Sequence, residues 1–298
     1  MVNASAGMKE LNSITKPIAL ALGYFDCIHF AHRKIISSVV DFAKQNSIKS
    51  AVLTFSNNLT HKDLPIYSFA DRKSLLSELE VNFVIPYRFD DTLKNMTPLA
   101  FLQMLFSTFD IRHITCGFDY RFGLGGEGDT EFIKNFAKSK GVPVKIFNPI
   151  KVGGQIVSTT AIKDALVSGD IKTANNLLVN PYFIEGRVTR GRGRGEALGY
   201  PTANIKPQDK FMPAFGVYKS RATIEGKIYP SLTSIGNKPT FADEVITIET
   251  FINGNVFNLY SKTIKVELLS FIRGLMKFDS AAQLKAQIKK DITRNIKI

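Results

Sequence analysis

Cysteine is nearly absent. The 298-residue chain holds two, Cys27 and Cys116, too few for a disulfide framework and in keeping with a reducing compartment. Long apolar runs are missing too: no segment is hydrophobic over the roughly 20 residues that a membrane helix needs. Residues 1–12 carry no apolar core of signal-peptide length and are expected to form a loose tail, with Met8 an equal candidate for the start. No repeat or low-complexity segment occurs. Acidic residues are in deficit, 26 against 39 basic, for a formal net charge of +13. That balance favours anionic partners, whether nucleotides, nucleic acid or membrane phosphates, without choosing among them. Hydrophobic residues make up 44%, so the apolar depletion of a disordered chain is excluded. The length then predicts about two globular domains, and the composition a cytoplasmic protein.

From Pro17 to about Asn180, short apolar runs alternate with helical spacing, the pattern of a parallel sheet covered by helices. Strands are expected over 18–22, 50–55, 81–85, 113–116 and 143–147, and helices over 32–45, 71–79, 98–109 and 130–140. Such sheets bind ligands at the carboxyl ends of their strands, where the connection order reverses. That rule gathers 23–32, 55–59 and 117–123 around one crevice. After Asn180-Pro181 the chain turns to short runs rich in Val, Ile, Thr, Phe and Tyr, at 183–189, 217–224, 228–235, 247–253 and 263–272. These predict a small antiparallel barrel. A last helix is expected over 280–295, with Ser280 as its N-cap. The expected domains are thus 13–180 and 181–298.

The first motif is Gly23-Tyr24-Phe25-Asp26-Cys27-Ile28-His29-Phe30-Ala31-His32. Gly23 permits a tight turn after the first strand, and the two histidines fall where that turn becomes a helix. A helix start offers unsatisfied N–H groups and a favourable dipole to phosphate. Two imidazoles aimed at one point can hydrogen-bond an α-phosphate as charge builds on it. A His pair beside an apolar helix is ordinarily packing or surface; the flanking Gly-x-Phe-Asp favours the nucleotide site. Gly117-Phe118-Asp119-Tyr120-Arg121-Phe122-Gly123 brackets aromatics and charge between glycines, suited to stacking a planar ring and equally to a surface loop with its aromatics folded under it. Gly125-Gly126-Glu127-Gly128 prolongs it into a mobile region. Ser158, Thr159 and Thr160 precede a helix with Lys163 in its first turn, an arrangement that serves a triphosphate or plain N-capping.

In the second half, Arg187, Arg190, Arg192 and Arg194 interleave with Gly191, Gly193 and Gly195. Glycines let backbone N–H groups approach phosphate oxygens; an RNA-binding Arg/Gly patch is the competing reading. Pro201-Thr202-Ala203-Asn204 follows, with Thr202 and Asn204 offering oxygen ligands to Mg²⁺ shared with phosphates. Glu249 lies in an alternating strand on the same face as Thr247 and Phe251.

In this order the motifs resemble the bacterial bifunctional riboflavin kinase/FAD synthetase family from about Pro17 to Asp291. The resemblance implies a Rossmann-like α/β nucleotidyltransferase domain that makes FAD from FMN, then an antiparallel β-barrel flavokinase domain with a C-terminal helix. It implies that His29 and His32 act on ATP phosphates and that Glu249 is the catalytic base. ATP or phosphate binding falls to Gly23, Phe25, Asp26, Ser158, Thr159, Thr160 and Lys163 in one domain and to Gly191, Gly193 and Gly195 in the other. Flavin binding falls to Phe118, Asp119, Arg121, Phe122 and Arg273, and Mg²⁺ to Thr202 and Asn204. Gly236, Pro239-Thr240-Phe241 and Lys277-Phe278 match further landmarks of the family. ATP, riboflavin, FMN and FAD are the implied small molecules, in a monomer or weak homo-oligomer without membrane or nucleic-acid partners. The chain departs from the family pattern at Cys27 and Ala31, where glycines are usual, and at 57–59, where Pro-His-Pro is usual. It departs again at Lys163, where arginine is usual, at Glu196-Ala197 and at Leu275. A chain with one working half, another nucleotidyltransferase and a non-catalytic flavin- or RNA-binding regulator remain the alternatives.

Overall fold

The structure is a computed structural model that describes residues 14, 16–57, 64–191, 194–206, 209–239, 244–254 and 259–296. The expected tail at 1–12, Asn58, Leu59, Arg192, Gly193, Thr240 and Phe241 lie outside these residues, and so does the side chain of Arg194. The chain divides into two compact units, Met1–Thr159 and Thr160–Ile298.

In the first unit, β1 (Ile18–Leu22), β2 (Lys49–Phe55), β3 (Phe83–Tyr87), β4 (Ile111–Gly117) and β5 (Val144–Phe147) form one sheet in the order β3-β2-β1-β4-β5. All its pairings are parallel. Parallel strands need crossover connections, supplied by α1 (Phe30–Gln45), α2 (Phe69–Glu78), the one-turn α3 (Asp91–Lys94), α4 (Pro98–Thr108) and α5 (Thr130–Ser139). Every residue of β1 is buried, which explains its unbroken apolar run: a central strand covered on both faces shows no alternation. The order reverses between β1 and β4, so the crevice opens beyond Leu22 and Gly117. A short β6 (Lys151–Val152) and β7 (Gln155–Ile156) make a hairpin ahead of the second unit.

Several boundaries move from the sequence expectation for local reasons. α1 starts at Phe30 rather than His32 because His29 is its N-cap, Nδ1 accepting from the His32 N–H at 3.1 Å. α2 starts at Phe69 because Ser68 and Asp71 form a reciprocal capping box. β3 begins and ends two residues late and contains Pro86; as an edge strand it tolerates a residue without an N–H.

The second unit opens with α6 (Thr159–Val167), which straddles the division, and α7 (Ile171–Leu178). Then β8 (Phe183–Thr189), the short α8 (Arg194–Ala197), β9 (Thr202–Ile205), β10 (Gly216–Ile224), β11 (Lys227–Pro239), β12 (Glu244–Ile252) and β13 (Thr263–Arg273) close a barrel in the order β10-β11-β12-β9-β8-β13. Its polar interior is satisfied internally. Ser220 Oγ lies 2.8 Å from both Ser231 Oγ and Thr233 Oγ1, and Thr233 Oγ1 lies 3.0 Å from Thr250 Oγ1. All four are buried, and the ladder avoids the penalty of an unpaired buried hydroxyl. A final α9 (Ala281–Asn295), capped by Ser280 as the sequence predicts, packs Ile292 against Leu232.

Candidate functional sites in the two units

In the first unit, the turn after β1 is held from below. Gly23 is required because the Phe25 ring lies across it: a Cβ there would meet Cζ at 2.7 Å. Phe25 and Ile28 adopt positive φ, 50° and 47°. For a β-branched residue such as Ile28 that is a true outlier, of the kind that persists only where the surroundings over-determine it. Asp26 is buried and accepts from the Ile66 N–H at 2.9 Å. The imidazoles of His29 and His32 stack with centroids 3.5 Å apart and planes inclined by 12°, and the Phe25 ring meets His32 edge-on at 5.2 Å.

Burial pushes His29 down to about 4. Burial first, then the neighbouring His29 and Arg72, hold His32 well below its ordinary value. Both rings are therefore neutral near pH 7. Because His29 Nδ1 is an acceptor, its proton sits on Nε2, a donor for an anion arriving at the start of α1. One ligand-type atom from each of Cys27, His29 and His32 lies within 4.8 Å of the others. His29 Nδ1 is committed to the cap, however, which leaves its Nε2–H as a donor. The trio suits an anion better than a tetrahedral metal.

Below this turn lies a residue that sequence reasoning missed. Arg72 is 1% exposed. Its Nη1 donates to Tyr24 O at 3.0 Å and Thr54 Oγ1 at 2.8 Å, and Nη2 donates to Phe55 O at 2.8 Å. The guanidinium also lies 5.0 Å from the Tyr24 ring centre. The available signal was periodicity: Arg72 falls on the buried stripe of α2 with Leu75 and Leu76. Asn57, at the first position of the Pro-His-Pro departure, has a structural task. Its amide donates to Phe89 O at 2.9 Å and accepts from the Phe89 N–H at 2.7 Å, extending the β2–β3 pairing by one side chain.

The loop after β4 divides by face. Phe118, Asp119 and Arg121 are exposed, with Arg121 3.8 Å from Asp129. Phe122 is in the hydrophobic core, with ring centroids 5.4 Å from Phe101 and 5.8 Å from Tyr120. Of the expected flavin residues in this loop, Phe122 is thus buried beneath the surface that the others present. Ser158 is half-buried, and Thr159 Oγ1 lies 3.9 Å from Cys27 Sγ, beside the histidines. Thr160 and Lys163 belong to the second unit, where Lys163 Nζ sits 5.2 Å from the Phe211 ring centre.

In the barrel, strand register assembles the other site. Asn204 pairs directly with Glu249 and with Thr189, and Thr202 pairs with Phe251. Side chains alternate along a strand: Ala203, Ile205, Ile248 and Thr250 are buried, while Thr202, Asn204 and Glu249 share the opposite, half-buried face. Directly opposed residues hold their Cβ atoms about 5 Å apart, so the Asn204 amide and the Glu249 carboxylate are neighbours. The Arg/Gly segment approaches this face closely. A Cβ on Gly191 would come within 2.2 Å of Asn204 Nδ2, and one on Gly195 within 2.5 Å of Tyr200 O and 3.1 Å of Thr202 Oγ1. Arg273 is engaged elsewhere: Nε and Nη2 reach Asp291 Oδ2 at 3.0 and 2.8 Å, and Nη1 reaches Gly274 O at 3.0 Å. Leu275, the departure two residues on, lies where a Cβ on Gly236 would meet it at 2.9 Å.

A parallel sheet with a histidine-bearing turn at its switch point, followed by a closed barrel with its own oxygen-rich polar face, defines a two-module protein with a separate polar site in each module. The FAD synthetase family matches residues 11–161, and the riboflavin kinase family matches residues 178–298. The bifunctional riboflavin kinase/FMN adenylyltransferase of Listeria monocytogenes is 30% identical over 281 residues, covering 91% of this chain and 89% of that protein. The Escherichia coli K12 protein of the same description is 29% identical over 286 residues, at 91% and 90% coverage. A crystal structure described as a macrolide-efflux protein from Streptococcus pneumoniae superposes with a TM-score of 0.85 and 30% identity over 94% of this chain and 95% of that one. Efflux is said of that protein; no helix among the described residues here is long and apolar enough to cross a membrane. The chain belongs to the family of bifunctional riboflavin kinase/FMN adenylyltransferases.

Proposed function

We propose that this chain phosphorylates riboflavin to FMN in its barrel and adenylylates FMN to FAD in its α/β unit, using one ATP at each site. The adenylyltransferase domain is taken as 13–180 and the kinase domain as 181–298. The observation that carries the reading is the presence of two separately built polar sites, the His29–His32 stack at the α1 start and the Asn204–Glu249 pair on the barrel, each in the unit that matches the corresponding family.

In the kinase step the riboflavin 5′-hydroxyl attacks the γ-phosphorus of ATP and ADP leaves, with Glu249 accepting the hydroxyl proton. Such transfers depend mainly on positioning and charge neutralisation. The absence of side chains at Gly191 and Gly195 lets the Arg/Gly segment lie against the Asn204 face, where its backbone N–H groups are offered to phosphate. Thr202 and Asn204 offer oxygen ligands once the Asn amide is turned, a donor set that fits Mg²⁺ shared with phosphates. Bound there, Mg²⁺ would neutralise developing phosphate charge. In the adenylyl step an FMN phosphate oxygen attacks the α-phosphorus and pyrophosphate leaves. The neutral His29 Nε2–H and the N–H groups of α1 donate to the charge that builds. Ser158, Thr159, Thr160 and Lys163 are assigned to the phosphates, and Phe118, Asp119 and Arg121 to the flavin. Arg273 is assigned to the flavin through its ion pair with Asp291, which positions the β13 end.

The test is a complementary pair of variants with the products separated by chromatography. His32→Ala abolishes FAD formation and leaves FMN formation largely intact. Glu249→Gln lowers FMN formation by roughly 100-fold or more, the usual worth of a general base, and leaves FAD formation from supplied FMN. Equal loss of both products in either variant contradicts two separate sites.

A further inference from the structure

Arg72 is a buried cation without an ion-pair partner among the described residues. Its three hydrogen bonds all end on neutral oxygens: Tyr24 O, Thr54 Oγ1 and Phe55 O. Its Nε is buried without a partner. The acidic side chains in its field, Asp26 and Asp71, are buried as well and engaged elsewhere, Asp26 with the Ile66 N–H and Asp71 in the α2 cap. Buried charges are ordinarily paired or bound to a ligand. Two of its acceptors, Tyr24 O and Phe55 O, are the backbone carbonyls where the chain leaves β1 and β2, on either side of the crevice. The third, Thr54 Oγ1, itself donates to Tyr24 O at 2.5 Å. One side chain from α2 thus ties together both strand exits beneath the histidine stack.

We propose that Arg72 is a positioning residue for adenylyl transfer. It fixes the Gly23–His29 turn against the end of β2 and supplies the permanent positive charge that an incoming nucleotide phosphate completes. Its 1% exposure rules out direct contact with substrate in this conformation, so it acts through the turn and through its field. With both imidazoles neutral, the charge of an incoming phosphate falls to Lys163 and to the field of Arg72. A fixed cation in a water-poor site needs no reorganisation as charge shifts during the reaction. The inference rests on the adenylyltransferase reading of this unit.

The test compares Arg72→Met and Arg72→Lys in the full chain, with FMN formation by the same polypeptide as the internal control. Arg72→Met is expected to lower FAD formation about 100-fold, in the range found for loss of one electrostatic stabiliser, while FMN formation is unchanged. Arg72→Lys, which keeps the charge but loses the fork, recovers part of that loss. A second readout needs no turnover: the groups acting on His32 are burial, His29 and Arg72. NMR titration of the His32 ring must therefore show protonation at a higher pH in Arg72→Met than in Arg72→Lys. Equal FAD formation and equal His32 titration in the two variants would reduce Arg72 to packing and overturn the proposal. If the wild type makes no FAD while the His32 difference persists, the functional reading fails and the electrostatic role stands. If Arg72→Met loses its folded signal, the comparison of Arg72→Lys with wild type decides: partial FAD formation with unchanged His32 titration supports the role, and no FAD from a folded Arg72→Lys refutes the charge.

Discussion

Replacing Gly191 with alanine tests whether the approach of the Arg/Gly segment to the barrel matters for chemistry. A Cβ at this position would stand 2.2 Å from Asn204 Nδ2, where ordinary van der Waals contact begins at 3.4 Å. Either the segment or the Asn204 amide must therefore retreat by about 1.2 Å. Gly191 is exposed, so the substitution disturbs no core packing, and the stability loss should stay within the about 1–3 kcal/mol typical of overpacking. A misplacement of about 1 Å in a transfer site costs on the order of 100-fold in rate. Gly191→Ala is accordingly expected to lower kcat for FMN formation by about that factor, and to leave FAD formation from supplied FMN unchanged. A coupled chromatographic assay gives both rates from one preparation. A Gly191→Ala protein that forms FMN at the wild-type rate would show that the Asn204 face takes no part in phosphoryl transfer.

Two further outcomes follow from the first unit. Gly23→Ala would set a Cβ 2.7 Å from the buried Phe25 ring, pushing that ring toward His32. A loss of about 1–3 kcal/mol in denaturant stability, typical of overpacking, should accompany reduced FAD formation, and unchanged values of both would contradict the turn geometry. Burial lowers His29, His32 and His113 below the ordinary histidine value, so the unfolded chain binds protons that the folded chain does not. Stability is then complete above about pH 6.5 and falls as pH drops from there towards 4, by up to about 1.4 kcal/mol per pH unit for each histidine. Unfolding midpoints measured from pH 7.5 to 5 check this, and a flat profile would refute it.

What the sequence made legible was local. Ile18–Leu22 reads as a strand because a doubly covered parallel strand is apolar throughout. The His pair reads as a helix start because the turn and the helix are contiguous. Barrel strands such as β10 and β13 announce themselves through β-branched runs. β9 did not, because Thr202–Ile205 is four residues long and its pairing with β12 and β8 is set by the closed ring rather than by its own composition. Arg72 was hidden for a similar reason: its partners Tyr24 and Thr54 lie 48 and 18 residues away, and no spacing rule joins them. Phe122 looked like its neighbours in the loop, yet the turn at Gly123, with φ of 75°, leaves it in the core while Phe118 faces out. The departures at Asn57 and Leu275 read as losses in the sequence. The structure gives Asn57 a hydrogen-bonding task with Phe89 instead, while Leu275 lies exposed beside Gly236.

The central claim is that one chain carries two consecutive transfers in two units. The most direct measurement incubates the purified protein with riboflavin, ATP and Mg²⁺ and resolves riboflavin, FMN and FAD over time. FMN should rise first and then decline as FAD accumulates. Riboflavin returned unchanged, or FMN that accumulates with no FAD even when ATP is in excess, would contradict it.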